Sequence, residues 1–518
     1  MSILTNQTIE GFVSIDISTH CHPILSNANI QLHNGLKIND LQVCNNSDER
    51  FGILEISVSK TKVSNHPTYI EFDIDTSGSM EDIASGIHTK LEFVKKTLDN
   101  MYQFIAEHVE AVIYIKVNTF DNQCRTIIPI TKITLKNRAE IIAKINDIQS
   151  GGCTNIEKAF LQSGKSISEY KTQFPTHKLV YILLTDGNPT AGNIDTDYLK
   201  TIKPDACNKC IGYGSDHNAG LLGSCGHYYF INDFENTGKV YGEILHKLLY
   251  PALENVEIVV KNGSIYDSVK NSWETSIDGI ELHSEQNRTF HVRGNSNTEA
   301  ILVGTIVGRI DRELEEGEIE EIGNREELYT ADVLPDLLDE EDTVCVVDLR
   351  KYMYRQKTQE LLFESVEYTR QQKTSSSYKN KLKTFFKNMR LYMRENNLME
   401  DPFMKLLCDD IYVCFKTFGK ENAEMYVVSR HIGQCNQTPC RANSQKLEDS
   451  DEDEDRQIQK QKRKNKWHRL EKMEIEDIVS PSKEEDPDDL DYYKTEVQDD
   501  DLYVNESMKH TFRCVSGF

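Results

Sequence analysis

The run LVYILL, residues 179–184, is aliphatic or aromatic at both of its alternating positions and carries no charge. Successive residues of a strand point to opposite faces, so such a strand is stable only in a sheet covered on both sides. Its surroundings fit that demand. Between residues 66 and 250, strand-like runs (TYIEFDID, EAVIYIKVNTF, CIGYG, HYYFIND) alternate with helical patterns. One of these, LEFVKKTLDNMYQFIAEH, places Leu91, Val94, Leu98, Met101, Tyr102 and Ile105 on one face. Further helices are expected near 137–148, from Asn155 onward and over GKVYGEILHKLLY. The expected fold class is α/β, a doubly wound, mostly parallel sheet of Rossmann-like type.

Before residue 65 the pattern is different. Short period-two runs, GFVSIDIS, IQLHNGL and FGILEISVSK, read as strands. Strand patterns return after Pro251 with NVEIVVKNG, TFHVRG and AILVGTIVGRI. Neither group alone is large enough for a good sandwich. The two groups are therefore expected to pair in one β-sandwich (residues 1–65 and 251–312), with the α/β unit (66–250) inserted in it or flanked by it. An acidic linker is expected at 313–343 and a helical segment at 344–444. A disordered charged tail is expected at 445–518, where runs such as EDSDEDED lack the apolar residues to build a core.

The formal charge of −25 gathers in the last third, and no folded-looking stretch shows a basic stripe, so nucleic acid is not an expected partner. No apolar run reaches the ~20 residues needed for a transmembrane helix. The first residues lack a basic flank before an apolar core, so no secretion signal is expected. The 13 cysteines, many of them single within apolar runs, fit reduced thiols. A soluble, intracellular protein is the expectation.

Ligands of open α/β sheets collect outside the carboxyl ends of the strands. Three loops at that edge carry oxygen donors. DTSGS offers Asp75, Ser77 and Ser79; GGCTN offers Thr154; LLTDG offers Asp186. Each loop alone is ordinary turn and cap chemistry. Together they present two carboxylates and three hydroxyls, a set that hard divalent cations prefer.

This order and spacing resembles the von Willebrand factor type A domain, whose metal-ion-dependent adhesion site is a D-x-S-x-S loop, a distant Thr and a distant Asp. The resemblance covers about residues 66–250. It implies Mg²⁺ or Mn²⁺ held by Asp75, Ser77, Ser79, Thr154 and Asp186, with hydroxyls on the metal and the acids acting largely through water. It also implies a protein partner that offers an Asp or Glu side chain to the open coordination position. Cys153 stands where relatives often have glycine, which puts a thiol near the metal. The wider layout is similar to intracellular type A proteins that add a RING finger or a Hint-like domain, but neither pattern is present, so no ligase or protease activity carries over. In such chains MYVVSRHIGQCNQTPC falls where a short exposed strand is found.

The constellation supplies no general base or activated nucleophile, so no enzyme is expected. A metal-dependent interaction or scaffold protein is the reading it favours. Two alternatives stand beside it. One is a structural protein with an unused site. The other is a phosphatase, since FDIDTSG nearly matches the D-x-D-x-T/V motif of haloacid dehalogenase-like phosphatases, with Asp73 as nucleophile, Asp75 as general acid and Thr185 as the later hydroxyl. Ser77 departs from that motif and no acidic pair follows a later strand, while Asp73 is expected on the alternate side of its strand from the loop. Cys207, Cys210, Cys225 and His227 could hold zinc, but core packing explains them better. The basic island QKQKRKNKWHR reads as a solvated charge run. The helix YKNKLKTFFKNMRLYMREN, with Leu382, Phe385, Phe386, Met389, Leu391 and Met393, reads as core-packing rather than membrane-surface.

Overall fold

The structure, a computed structural model, describes residues 5–7, 15–26, 50–85, 87–231, 237–307, 326–332, 348–371, 375–420, 422–439 and 502–516. The chain opens with strands β1 (Thr5–Gln7), β2 (Ile15–Ser26) and β3 (Arg50–Val58), then enters the α/β unit. There β4 (Thr68–Asp75) is followed by a hairpin, β5 (Ile83–Ser85) and β6 (His88–Thr89), and by helix α1 (Lys90–Glu107). Next come β7 (Ile113–Phe120), β8 (Cys124–Lys132), α2 (Arg138–Asn146), α3 (Ile156–Gln173) and β9 (Lys178–Gly187). The unit closes with α4 (Thr196–Ile202), β10 (Cys207–Asp216), α5 (Ala219–Cys225), β11 (His227–Ile231) and α6 (Thr237–Leu249).

Its six strands run in the order β11-β10-β9-β4-β7-β8, all parallel except β8, which is antiparallel to β7. Both faces of LVYILL are used. Val180, Ile182 and Leu184 join Ile70, Phe72 and Ile74 under α1, α2 and α6. Tyr181 and Leu183 face the other way, in one core with Ile156, Phe160 and Ile167 of α3. The six apolar residues expected on one face of α1 are all buried. Its start is fixed by a capping box in which Glu92 N donates to Thr89 Oγ1 at 3.2 Å and Thr89 N donates to Glu92 Oε2 at 2.9 Å.

Strands from the two sides of this unit belong to one antiparallel sheet. It adds β12 (Pro251–Asp267), β13 (Ser272–Glu274), β14 (Ser276–His283), β15 (Asn287–Ile306) and β16 (Glu326–Asp332). β3 pairs with β15 from Asn287↔Ser57 to Gly294↔Arg50. The long strands β12 and β15 change neighbours along their length. β12 pairs first with β14 and then with β13, and its register against β15 shifts between Lys261 and Gly263. Such register shifts bend the strand that carries them. Leu54, Val256, Ile258, Leu282 and Val292 form the apolar core there.

The helices α7 (Leu349–Arg370), α8 (Ser376–Glu395), α9 (Pro402–Thr417) and α10 (Ala423–Asn436) pack against the α3 face of the central sheet, sharing one core with it. In α8, Leu382, Phe385, Phe386, Met389 and Met393 are buried, while Leu391 is exposed and leaves that stripe.

Three expectations need correction. Glu326–Asp332, inside the expected acidic linker, is strand β16 along β15. MYVVSRHIGQCN is helix rather than exposed strand, because Met425, Val427 and Val428 are buried in the shared core. The expected disordered tail ends in helix α11 (Glu506–Ser516), whose Met508, Thr511 and Val515 are buried. α11 lies close on α6: a Cβ at Gly242 would meet Phe512 Cδ1 at 2.6 Å. Asn100 Nδ2 also donates to Val515 O at 3.0 Å. The basic island and the other residues of 445–501, with 517 and 518, lie outside the described residues. None of the described helices is long and apolar enough to cross a membrane.

Candidate metal centre

The order of the parallel strands changes direction at β4. The chain passes from β4 out to β7 and β8, then returns on the other side of β4 to form β9. Crevices at such switch points are where open α/β sheets bind ligands. Asp75 is the last residue of β4 and Asp186 lies one residue from the end of β9, so the two carboxylates flank this crevice. Neither is exposed at all.

The loop after β4 turns back on Asp75, whose Oδ1 accepts from Ser77 N at 2.8 Å and whose Oδ2 accepts from Thr185 Oγ1 at 2.6 Å. Ser77 Oγ and Ser79 Oγ stand 3.2 Å apart, and Ser79 Oγ donates to Asp186 Oδ1 at 2.8 Å. The second loop is tied to the first through the backbone. Gly151 N donates to Thr76 O at 2.7 Å and Gly78 N to Gly152 O at 3.2 Å. Gly152 has φ +89°, which an L side chain adopts only with strain. Thr154 follows this turn, and its carbonyl accepts from Thr190 N at 2.9 Å. Its hydroxyl and that of Ser79 share one neighbour: a Cβ on Gly187 would lie 3.4 Å from Thr154 Oγ1 and 3.9 Å from Ser79 Oγ. All five residues expected from sequence are therefore brought together. Cys153 is exposed, with its amide on Asn122 Oδ1 at 3.0 Å.

The crevice gathers buried acidic side chains. Burial pushes the Asp75 carboxyl up to about 6, against the pull of Thr185 and Ser77, and the nearby Asp186 adds to the rise. Two buried carboxylates and three hydroxyls, with no sulfur or imidazole among them, fit a hard divalent ion. One cation is already present, and sequence reasoning missed it. Lys90 Nζ is 2.7 Å from Asp186 Oδ2 and 3.5 Å from Asp82 Oδ2. Burial draws this ammonium down, but the two acids outweigh burial and raise it. Lys90 opens α1, where the positive end of the helix disfavours a cation. A lysine in the first turn behind a capping box was the one signal the sequence offered.

Asp73 is not at this site, and it does not point away from the Asp75 side. Glu71, Asp73 and Asp75 alternate on one face of β4. The expectation that Asp73 sits on the alternate side is corrected by the period of two. Asp73 is fully buried and accepts from Asn118 Nδ2 at 2.8 Å, Ser163 Oγ at 2.8 and 2.9 Å and Tyr181 OH at 2.6 Å. Burial first, then Glu71, push its carboxyl up to about 7. Its side chain is wholly buried in this network, away from solvent. Among the described residues no three or more His, Cys, Asp or Glu side chains are placed to hold a metal. Cys210 and Cys225 lie in the shared apolar core instead.

A family model described as the von Willebrand factor type A domain matches residues 70–243. Residues 70–243 are a von Willebrand factor type A domain. Such domains generally mediate metal-dependent protein interactions and are generally interaction modules rather than enzymes. Among solved structures, the chain is similar to a von Willebrand factor type A protein from Catenulispora acidiphila (12% identity, TM-score 0.49, covering 77% of this chain and 92% of that one). It is also similar to the ArnB paralog VWA2 from Sulfolobus acidocaldarius (15% identity, TM-score 0.45, covering 82% and 98%). Proximal thread matrix protein 1 from the mussel byssus, with a zinc-occupied MIDAS motif, is a more partial likeness (18% identity, TM-score 0.28, covering 37% and 47%). Comparison with curated proteins finds no match. In the type A domain of this chain, the matched span contains all five candidate ligands and Lys90.

Proposed function

We propose that the type A domain binds one Mg²⁺ or Mn²⁺ through Asp75, Ser77, Ser79, Thr154 and Asp186, and that this site captures an acidic side chain of a protein partner. A divalent ion bound there supplies an electrophilic centre for a carboxylate. The chain's own residues supply the rest. Asp75 is oriented by Ser77 N and Thr185, and Asp186 by Ser79 and Lys90, while of the three hydroxyl residues Ser79 is the half-buried one. The observation that carries this reading is the burial of both carboxylates beneath a mouth where Gly78 is exposed and Ser79 half-buried. A cation can be gripped from below while a partner approaches from solvent.

In this proposal the chain is a non-enzymatic, intracellular scaffold. Residues 66–250 form the binding unit, residues 1–65 and 251–312 form the sheet domain that carries it, and the helical segment 344–444 buttresses it. Pull-down with the full chain, with Mg²⁺ or with chelator, tests the reading against an Asp75→Ala, Ser77→Ala double variant. Partners recovered only by the wild type with metal support it. Equal recovery by both forms in chelator removes it.

A further inference from the structure

At the other end of the parallel sheet lies a cavity of about 560 Å³. The start of β10, the start of β11, the antiparallel sheet and helices α7 and α10 enclose it. Cationic and imidazole side chains outnumber acids in its walls and include Arg288, Arg355, Lys209, Lys247, His227 and His283. Arg355 is 1% exposed and Arg288 7%. Among the described residues no carboxylate lies within 4 Å of either guanidinium or of Lys209. Arg288 Nη2 donates to Cys435 O at 3.0 Å, while Arg355 donates to Thr289 Oγ1 at 2.5 Å and to Gln434 O at 3.3 Å. The Nε atoms of both arginines are buried without a partner, as are His227 Nε2, His283 Nδ1 and His291 Nε2.

A bland account exists, since two of those carbonyls end α10 and helix C-termini favour cations. It covers too little charge. A helix end offers roughly half an elementary charge, against two guanidiniums, while Lys209 is supported by Cys207 and Glu281. Among the described residues, none of the three wall acids pairs with an arginine: Glu281 faces Lys178 at 3.8 Å and also acts on Lys209 and Lys247, Asp267 faces Lys270 at 3.1 Å, and Asp278 is exposed. Lys247 is held by Glu243 at 2.5 Å. The Cys435 thiol lies against His431 Nε2 at 3.5 Å. Burial and then the neighbouring Arg355 draw Arg288 down to about 10. Burial, then nearby lysines and arginines, hold His227 and His283 well below the usual histidine range. Buried charges without counter-ions are costly, and a bound anion would relieve this one.

We infer that this cavity binds a small anion carrying more than one phosphate group, held by Arg288 and Arg355 with Lys209 as a third cation. The planar fork of a guanidinium matches phosphate oxygens in pairs. Several cations in one enclosure favour a multiply charged ligand, and the volume falls within the ~300–1,000 Å³ of small-molecule sites. Because three parts of the fold meet here, such an anion would also tie them together. The inference is independent of the metal centre.

Calorimetric titration of the full chain with sodium tripolyphosphate, in buffer free of divalent cations, tests it. A parallel arm uses phosphatidylcholine vesicles with and without phosphatidylinositol bisphosphate, which separates a lipid headgroup from a free polyphosphate. The expected result is one site per chain, with affinity weakened on the order of 10- to 100-fold in Arg355→Gln. Arg355 also holds carbonyls of α10, so Lys209→Gln is the second variant, expected to weaken binding in the same direction with unchanged circular dichroism. Failure of both tripolyphosphate and the lipid to bind overturns the inference. Equal binding by wild type and Lys209→Gln and Arg355→Gln overturns it as well.

Discussion

Lys90 and Asp186 form a buried ion pair of 2.7 Å in the crevice, and Ser79 holds the other oxygen of the same carboxylate at 2.8 Å. The lysine thus stands as a built-in counter-cation beside the place proposed for a metal. It offsets the charge of buried Asp186 and of exposed Asp82, and it repels any second cation.

Lys90→Met is therefore expected to tighten Mn²⁺ binding, on the order of tenfold, since a charge in direct contact shifts such equilibria by about one to three log units. The same change is expected to lower the melting temperature in chelator, where Asp186 is left buried with less compensation. Calorimetric titration and thermal unfolding read the two effects. Metal affinity that is unchanged or weaker in the variant contradicts this role for Lys90.

The raised carboxyls give a pH dependence with a definite sign. Asp75 at about 6 binds its proton more tightly in the folded chain than when unfolded, near the usual 3.8. Its contribution is fully present below the unfolded value and is lost as pH rises through about 6. A rise from 3.8 to about 6 makes that loss on the order of 3 kcal/mol. Asp73, at about 7, acts in the same direction over a wider range. Metal-free protein should lose stability across this window, Asp75→Asn should lose less, and Mg²⁺ should restore what is lost. Chemical unfolding at several pH values checks this. Identical pH profiles for wild type and Asp75→Asn in chelator would exclude it.

The final helix gives a packing prediction. Val515 is 1% exposed between α6 and α1. Val515→Ala removes two buried carbon groups, at about 0.8 kcal/mol each before any cavity term. A loss of about 1.5 kcal/mol is expected in chemical denaturation. Gly242→Val places a side chain against Phe512 and should release α11, read as faster proteolysis near residue 505. Unchanged proteolysis would mean that α11 does not depend on this approach.

Much of the α/β unit was legible because its signals are local. LVYILL needs two covered faces, and the D-x-S-x-S, Thr and Asp loops each follow the right element. What was missed depends on partners distant in sequence. Lys90 looks like a surface residue of a helix start until Asp186, 96 residues later, is placed beside it. Helix α11 has few apolar residues within charged sequence, so its helical stripe shows only against the glycines of α6. β16 is rich in acids and becomes a strand only because β15 offers an edge. Glu71 and Asp73, two acids inside a sheet strand, signalled a buried network more than chemistry. Asn118, Ser163 and Tyr181, which complete it, lie on other elements.

In the helical segment, Arg430 is 1% exposed and pairs with Asp409 and Asp410, the latter at 3.0 Å. Removing one partner leaves buried charge behind. Asp410→Ala should cost on the order of 3–5 kcal/mol in unfolding experiments. A cost below about 1 kcal/mol would place the pair among solvated ones.

Metal binding by the five-residue site is read by titrating Mn²⁺ into the full chain and following the free ion by electron paramagnetic resonance. One ion per wild-type chain is predicted, displaced by Mg²⁺, with the site lost in a Ser79→Ala, Thr154→Ala double variant that remains folded. An absence of binding to wild type, or undiminished binding to the double variant, would contradict the account.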